Sequence, residues 1–273
     1  MYKIGFMQGR LIKSEKKNFV QSFPWKNWKK EFYIAKKNKI KLMEWTIDYF
    51  NFEKNPLIDK KQTKLIKKLK KKNNLDIQSV TCDFYMHKPF TKARSSYLKK
   101  KIYQNVITLI RACNELKINK LIFPLVDNSS LKNFDDEKKT ISFFLKFNKL
   151  LRLYNIKILF EIDFNPKKIL KFIRNFDKYY GINYDSGNSA SLGFNITEEQ
   201  IYFHRVENIH IKDRLYGGTT VKLGNGNCNF SKLFKIIKKS GYKENLILQT
   251  AKTWKKNEIG EIIDNVNFIK KFY

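Results

Sequence analysis

Apolar and polar positions along this chain follow two periods, and the switch between them recurs from one end to the other. Short apolar runs of strand length alternate with segments whose apolar residues fall three and four apart, the spacing of a buried helical face. Tyr2 to Met7 is the first run, and it breaks at Gly9. Trp25, Trp28, Phe32 and Ala35 then mark a helix with Pro24 near its start, where proline is tolerated. Lys41 to Ile47 is a second run carrying Glu44, and Leu65, Ile66 and Leu69 mark the helix after it. Ile77 to Cys82, a helix with Leu98, Ile102, Val106, Leu109, Cys113 and Leu116, the run Lys120 to Val126, and a helix face of Phe143, Phe144, Phe147 and Leu151 continue the series.

The second half repeats the arrangement. A run ending at Glu161 precedes a helix begun by Pro166, and a run ending at Asp185 precedes a brief helical turn whose Thr197 to Gln200 stretch reads as a capping start. A run ending at His210 leads through Gly217, Gly218, Gly224 and Gly226 to a helix that stops at Gly241. Last come a run ending at Gln249 and a helix with Ile259, Ile262, Val266 and Ile269.

Eight strand-helix units without a Pro/Gly/Ser linker predict one domain over residues 1–273. Strands apolar on both faces belong to a parallel sheet, and eight of them in this length predict a closed (β/α)8 TIM barrel. An open doubly wound sheet is the alternative. It is disfavoured because no G-x-G-x-x-G follows the first strand, and no P-loop is present.

Composition adds a core and a question. Hydrophobic residues at 42% suffice for a globular fold, while 56 basic against 25 acidic side chains give a formal charge of +31. The lysine runs at Lys67 to Lys72 and Lys99 to Lys101 lie in or beside helices, scattered rather than gathered into one stripe. That reads as solvated helix faces and argues against a nucleic-acid partner despite the charge. Three widely spaced cysteines and no leader-like start fit a reducing, cytoplasmic setting. No stretch is long and apolar enough to span a bilayer, so no membrane partner is expected.

The chemistry lies at the strand ends. In a barrel all C-terminal strand ends open on one face, so Glu161, Asp185, His210 and Gln249 would converge there. Two carboxylates, an imidazole and an amide oxygen are donors of the kind that hold Mn, Zn or Mg. The cations Arg10, Lys88, Lys212, Arg214 and Lys252, at or just past strand ends, would contact a phosphate or carboxylate, and Glu44 is a further substrate contact. Gly224 and Gly226 would offer backbone N–H groups to the same anion. Trp45, Phe84, Tyr85 and Trp254 are candidates for an apolar wall. His204 falls in a short helical region and reads as structural or exposed.

These motifs resemble the xylose isomerase-like TIM-barrel superfamily of sugar and sugar-phosphate isomerases and epimerases, which also holds inosose dehydratases and endonuclease IV. The resemblance rests on Glu161, on Asp185-Ser186-Gly187-Asn188, on His210-Ile211-Lys212-Asp213, and on the opening Met7-Gln8-Gly9-Arg10-Leu11 with Phe23 to Trp28 downstream. It implies a divalent metal on Glu161, Asp185, His210 and Gln249, with Glu161 as the base that removes a proton beside a carbonyl. It implies a sugar, polyol or sugar phosphate as substrate, and it leaves a homo-oligomer open.

One departure bears on mechanism. The family carries Glu at the eighth strand end, where this chain has Gln249, and an amide exchanges no proton. The metal is therefore expected to be weakly held, and a second acid would have to come from His87 or Asp213, with Asp83 and Asp127 behind them. Isomerisation leads, an inosose dehydratase-like elimination and a non-catalytic sugar-binding barrel follow, and endonuclease IV-like DNA repair comes last because the chain has only three histidines.

Overall fold

The computed structural model describes residues 2–13, 22–48, 50–252 and 257–273. Eight parallel strands close into a barrel in the order 1-8-7-6-5-4-3-2: Ile4–Met7, Leu42–Thr46, Asp76–Thr81, Lys120–Leu125, Lys157–Ile162, Tyr180–Asp185, Val206–Ile211 and Leu246–Leu248. Closure is made where Ile4 pairs with Leu246 and Phe6 with Leu248. A short antiparallel pair, Asp213–Arg214 with Thr220–Val221, stands beyond the seventh strand. The expectation of an eight-stranded TIM barrel holds.

The helices follow from local chemistry. Asn133, Asn165, Asn229 and Asn257 each cap a helix by accepting a backbone N–H with the side chain, so the chain's abundance of Asn meets the orphan donors of helix starts. The first helix, Trp28–Lys37, begins at Trp28, three residues later than the spacing suggests. The brief helix after the sixth strand, Ile196–Glu199, is capped by Asn195, so its start lies just before Thr197.

Between barrel and helices lies an aromatic shell. Phe144 meets Phe123 at 5.0 Å and Phe160 at 4.9 Å between ring centroids, both edge to face, and Tyr85 and Phe143 extend the cluster. Trp45, Phe84 and Tyr85 belong to the packed core rather than to the wall of the strand-end cavity: Trp45 is fully buried and donates from Nε1 to Asn55 at 3.0 Å. Trp254 lies outside the described residues.

The inside of the barrel departs from the expected apolar character. Ser79, Thr81, Asn183, Asn208, Glu44 and His210 are all buried there and bonded to one another. At the N-terminal end a polar bridge crosses the barrel: the Lys120 ammonium binds the Glu207 carbonyl at 2.9 Å and Glu244 at 2.7 Å, and Asn245 donates to Gln78 at 2.8 Å. The three cysteines are unpaired, and no helix among the described residues is long and apolar enough to cross a membrane.

Candidate active site

The C-terminal mouth of the barrel holds a cavity of about 280 Å3, lined by Arg10, Asp83, His87, Asp127, Glu161, Asn188, Lys212, Arg214 and Gln249 among others. Its lining takes Thr81, Pro124 and Glu161 from the third to fifth strands and Lys212 and Gln249 from just past the seventh and eighth, with Asp185 and His210 in register beside them. Pro124 pairs with Glu161, Asp185 with His210, and His210 with Ile247.

His210 is the centre of this floor. It is fully buried, with Nε2 2.7 Å from Glu44 Oε1 and Nδ1 3.1 Å from Glu161 Oε2. Burial alone would lower its pKa, but the charge of Glu44 and the hydrogen bonds to Glu161 and Glu44 outweigh that and push it up to about 10. The same pairing draws the Glu44 carboxyl below its ordinary value against the opposing cost of burial. Ser79, Thr81 and Asn208 donate to the remaining lone pairs of Glu44.

Glu161 lies above this pair and lines the cavity. Asn188 Nδ2 donates to its Oε1 at 2.7 Å and Asn183 Nδ2 to its Oε2 at 2.8 Å. Arg214 in turn donates from Nη1 to Asn188 Oδ1 at 2.9 Å, and its other nitrogens hold the Gly218 carbonyl. The chain Arg214, Asn188, Glu161 therefore fixes the carboxylate in orientation.

One ligand atom from each of Glu161, Asp185 and His210 lies within 4.8 Å of the others, so these three could hold a metal ion. Their oxygen, oxygen and nitrogen donors suit Mn, Zn or Mg. Gln249 Oε1 accepts a hydrogen bond from the Lys212 ammonium at 3.1 Å. Asp185 Oδ2 is also bound to that ammonium, at 2.9 Å, while its Oδ1 caps the helix Ser186–Leu192 through the Asn188 N–H.

Several expected contacts are corrected. Asp213, expected as the second acid, is fully buried and turned into the following loop: Oδ2 accepts from the N–H groups of Gly224 and Gly226 at 2.9 Å, and Oδ1 from Cys228 at 3.0 Å. Three backbone donors engage both oxygens of this carboxylate, which is not among the residues lining the cavity, and they spend the N–H groups that Gly224 and Gly226 were expected to offer an anion. Glu44 sits at mid-strand, engaged by His210, and is not among the residues that line the cavity. Lys252 is not among the lining residues; its ammonium binds the Ile12 carbonyl at 2.9 Å, and burial followed by repulsion from Arg10 lowers its pKa to about 8.

Arg10, His87, Lys212 and Arg214 do line the cavity. Burial lowers the pKa of Arg10 to about 10, against the attraction of Asp83 and Glu31. His204 is exposed, as expected. Residues missed from the sequence are Asn183 and Asn208, whose inward i, i+2 relation to Asp185 and His210 was the available signal, and Phe50, an exposed ring at the rim.

The family described as xylose isomerase-like TIM barrel matches residues 32–272. No curated protein matches the sequence. Among solved structures, the IolI protein with a bound zinc atom aligns with a TM-score of 0.77 at 13% identity, over 99% of each chain. The apo 3-keto-D-glucoside 4-epimerase from E. coli aligns with a TM-score of 0.74 at 14% identity, over 99% of this chain and 100% of that one. D-allulose 3-epimerase from Methylomonas sp. in complex with D-allulose gives 0.73 at 13% identity, over 100% and 97%. At these identities the likeness establishes the fold.

Proposed function

The chain belongs to the xylose isomerase-like TIM-barrel family, and from that premise we propose that it isomerises or epimerises a sugar or sugar phosphate, with Glu161 as the base. The observation that carries the reading is Glu161 itself, a carboxylate on the cavity floor held by two amides with one edge toward the cavity. A cavity of this size sits just below the usual range for small-molecule sites, roughly 300–1,000 Å3, which suits a ligand of monosaccharide size.

Glu161 takes the proton from the carbon beside a carbonyl, and the Arg214 and Asn188 chain keeps its lone pair aimed. Glu161, Asp185 and His210 would hold a divalent ion, which when bound supplies positive charge to the oxygen that becomes anionic as the proton leaves. His210 must give up its extra proton to serve as a ligand. Arg10 and Lys212, at the cavity wall, bind the oxygens or phosphate of the sugar. With Asp213 committed to its loop, return of the proton to the opposite face falls to Asp83, Asp127 or His87, which also line the cavity. Asp127 holds a left-handed backbone, φ 51°, a strained conformation of the kind that gathers at functional sites.

Gln249 favours one second reading: the same proton removal followed by loss of water, as in inosose dehydratases, which needs no acid at the eighth strand. The experiment is incubation with D-allulose and a panel of other ketoses, inososes and sugar phosphates in heavy water, followed by NMR. Deuterium at the carbon beside the carbonyl is expected, or a dehydrated product under the second reading. Glu161→Gln should lower the rate by roughly 10²–10⁴. An unchanged rate in that variant, or no exchange across the panel, overturns the proposal.

A further inference from the structure

The corner of the floor between the sixth and eighth strand ends already contains a cation. The Lys212 ammonium donates to Asp185 Oδ2 at 2.9 Å and to Gln249 Oε1 at 3.1 Å, and the side chain is only 13% exposed. Its stem is seated by the fold. A Cβ at Gly187 would stand 2.7 Å from Lys212 Cγ, so the glycine makes the groove in which the stem lies. Ser186 Oγ accepts from the Lys212 N–H at 2.9 Å and donates to its carbonyl at 2.6 Å, tying the backbone at the same point.

The charges explain why an ammonium rests here. Glu44, Glu161 and Asp185 place three carboxylates around one imidazole, and Gln249 brings no charge of its own. A buried carboxylate needs a partner, and Lys212 is that partner for Asp185. A divalent ion on Asp185 would share the carboxylate with the ammonium, and like charges this close in a poorly solvated site repel strongly.

We propose that Lys212 is a resident counter-cation that competes with a divalent ion for Asp185, so that the site takes a metal only as the ammonium withdraws. Lys212 also lines the cavity, which gives the displaced ammonium somewhere to go: toward the substrate, where it meets the sugar's oxygens or phosphate. The inference rests on the function proposed above only for the three donors of the ion, and it does not depend on the reaction.

The test is titration of Mn2+ into metal-free protein, with free Mn2+ followed by electron paramagnetic resonance. Lys212→Met keeps most of the stem's length and packing and removes the charge. It should bind Mn2+ at least about tenfold more tightly than the wild type. Equal or weaker binding overturns the proposal. Should that variant fail to fold, Gly187→Ala presses the Lys212 stem from its groove without altering a donor. Tighter binding there, by a smaller factor, supports the proposal, and unchanged or weaker binding overturns it. Neither measurement reads turnover, so a negative result here leaves the proton-transfer reading intact, and absence of exchange in heavy water leaves this one intact.

Discussion

Asp185 and Asp213 are both buried aspartates at the C-terminal rim of the barrel, one ending the sixth strand and the other just past the seventh. Their partners divide them. Asp185 faces an ammonium across 2.9 Å, beside Glu161 and His210, so its charge is balanced by a side chain that, on the inference above, an ion displaces. Asp213 receives three backbone N–H groups from residues 224, 226 and 228, so its charge is balanced by the loop itself. Burial of an acid at a strand end therefore does not assign it to the chemistry. What decides is whether the balancing charge can leave.

The largest effect expected from this contrast is on stability. Asp213→Ala would remove the shared acceptor of three part-buried loop N–H groups and should cost about 3 kcal/mol in urea denaturation. A loss below about 1 kcal/mol would erase the distinction drawn between the two aspartates.

Glu31 extends the comparison, because it too holds glycine-loop backbone, accepting from Gly9 at 2.8 Å and Leu11 at 3.2 Å. Burial, only partly offset by those N–H groups, raises its pKa from 4.5 to about 7. An acid whose folded pKa lies above its unfolded value is ionised first in the unfolded chain. Its contribution to stability therefore falls as pH rises from about 4.5 to 7 and is constant above, a swing of at most ~3 kcal/mol. Glu31→Gln keeps an acceptor and cannot titrate. The stability of the wild type relative to this variant should decline across that interval, and a pH-independent difference would show that the loop N–H groups fully balance the charge.

The smallest effect belongs to Asp185→Asn. The amide oxygen can still cap the Asn188 N–H, so the change should cost only about 1 kcal/mol while weakening Mn2+ binding. A loss as large as that at Asp213 would mean that Asp185 is structural as well.

The barrel was legible because its period is written eight times, and the strand ends followed from the barrel. Glu161, Asp185 and His210 are legible as one cluster for that reason: each closes or nearly closes a strand. Glu44 was misplaced because it lies two residues short of its strand's end, and at about 3.3 Å per residue that depth separates the cavity from the layer beneath it. Its partner His210 is 166 residues away, a distance that no local pattern encodes. Asp213 was misread for a different reason. The sequence places it beside His210, but which way an aspartate turns is decided by the donors of a loop that begins several residues later. Lys212 was recognised as a cation near the site; that it lies against Asp185 and Gln249 depends on the absent side chain of Gly187, which only the packing reveals.

The bridge of Lys120, Glu207, Glu244, Gln78 and Asn245 lays polar bonds across the N-terminal end of the barrel, opposite the strand-end cavity. A ligand of that cavity would enter and leave by the C-terminal mouth. Under the function proposed above, water displaced by an arriving sugar would pass the sugar on its way out, and product would retrace the entry path before the next molecule enters. Product accumulating in solution would thus obstruct the same doorway, and inhibition by product should be competitive with substrate.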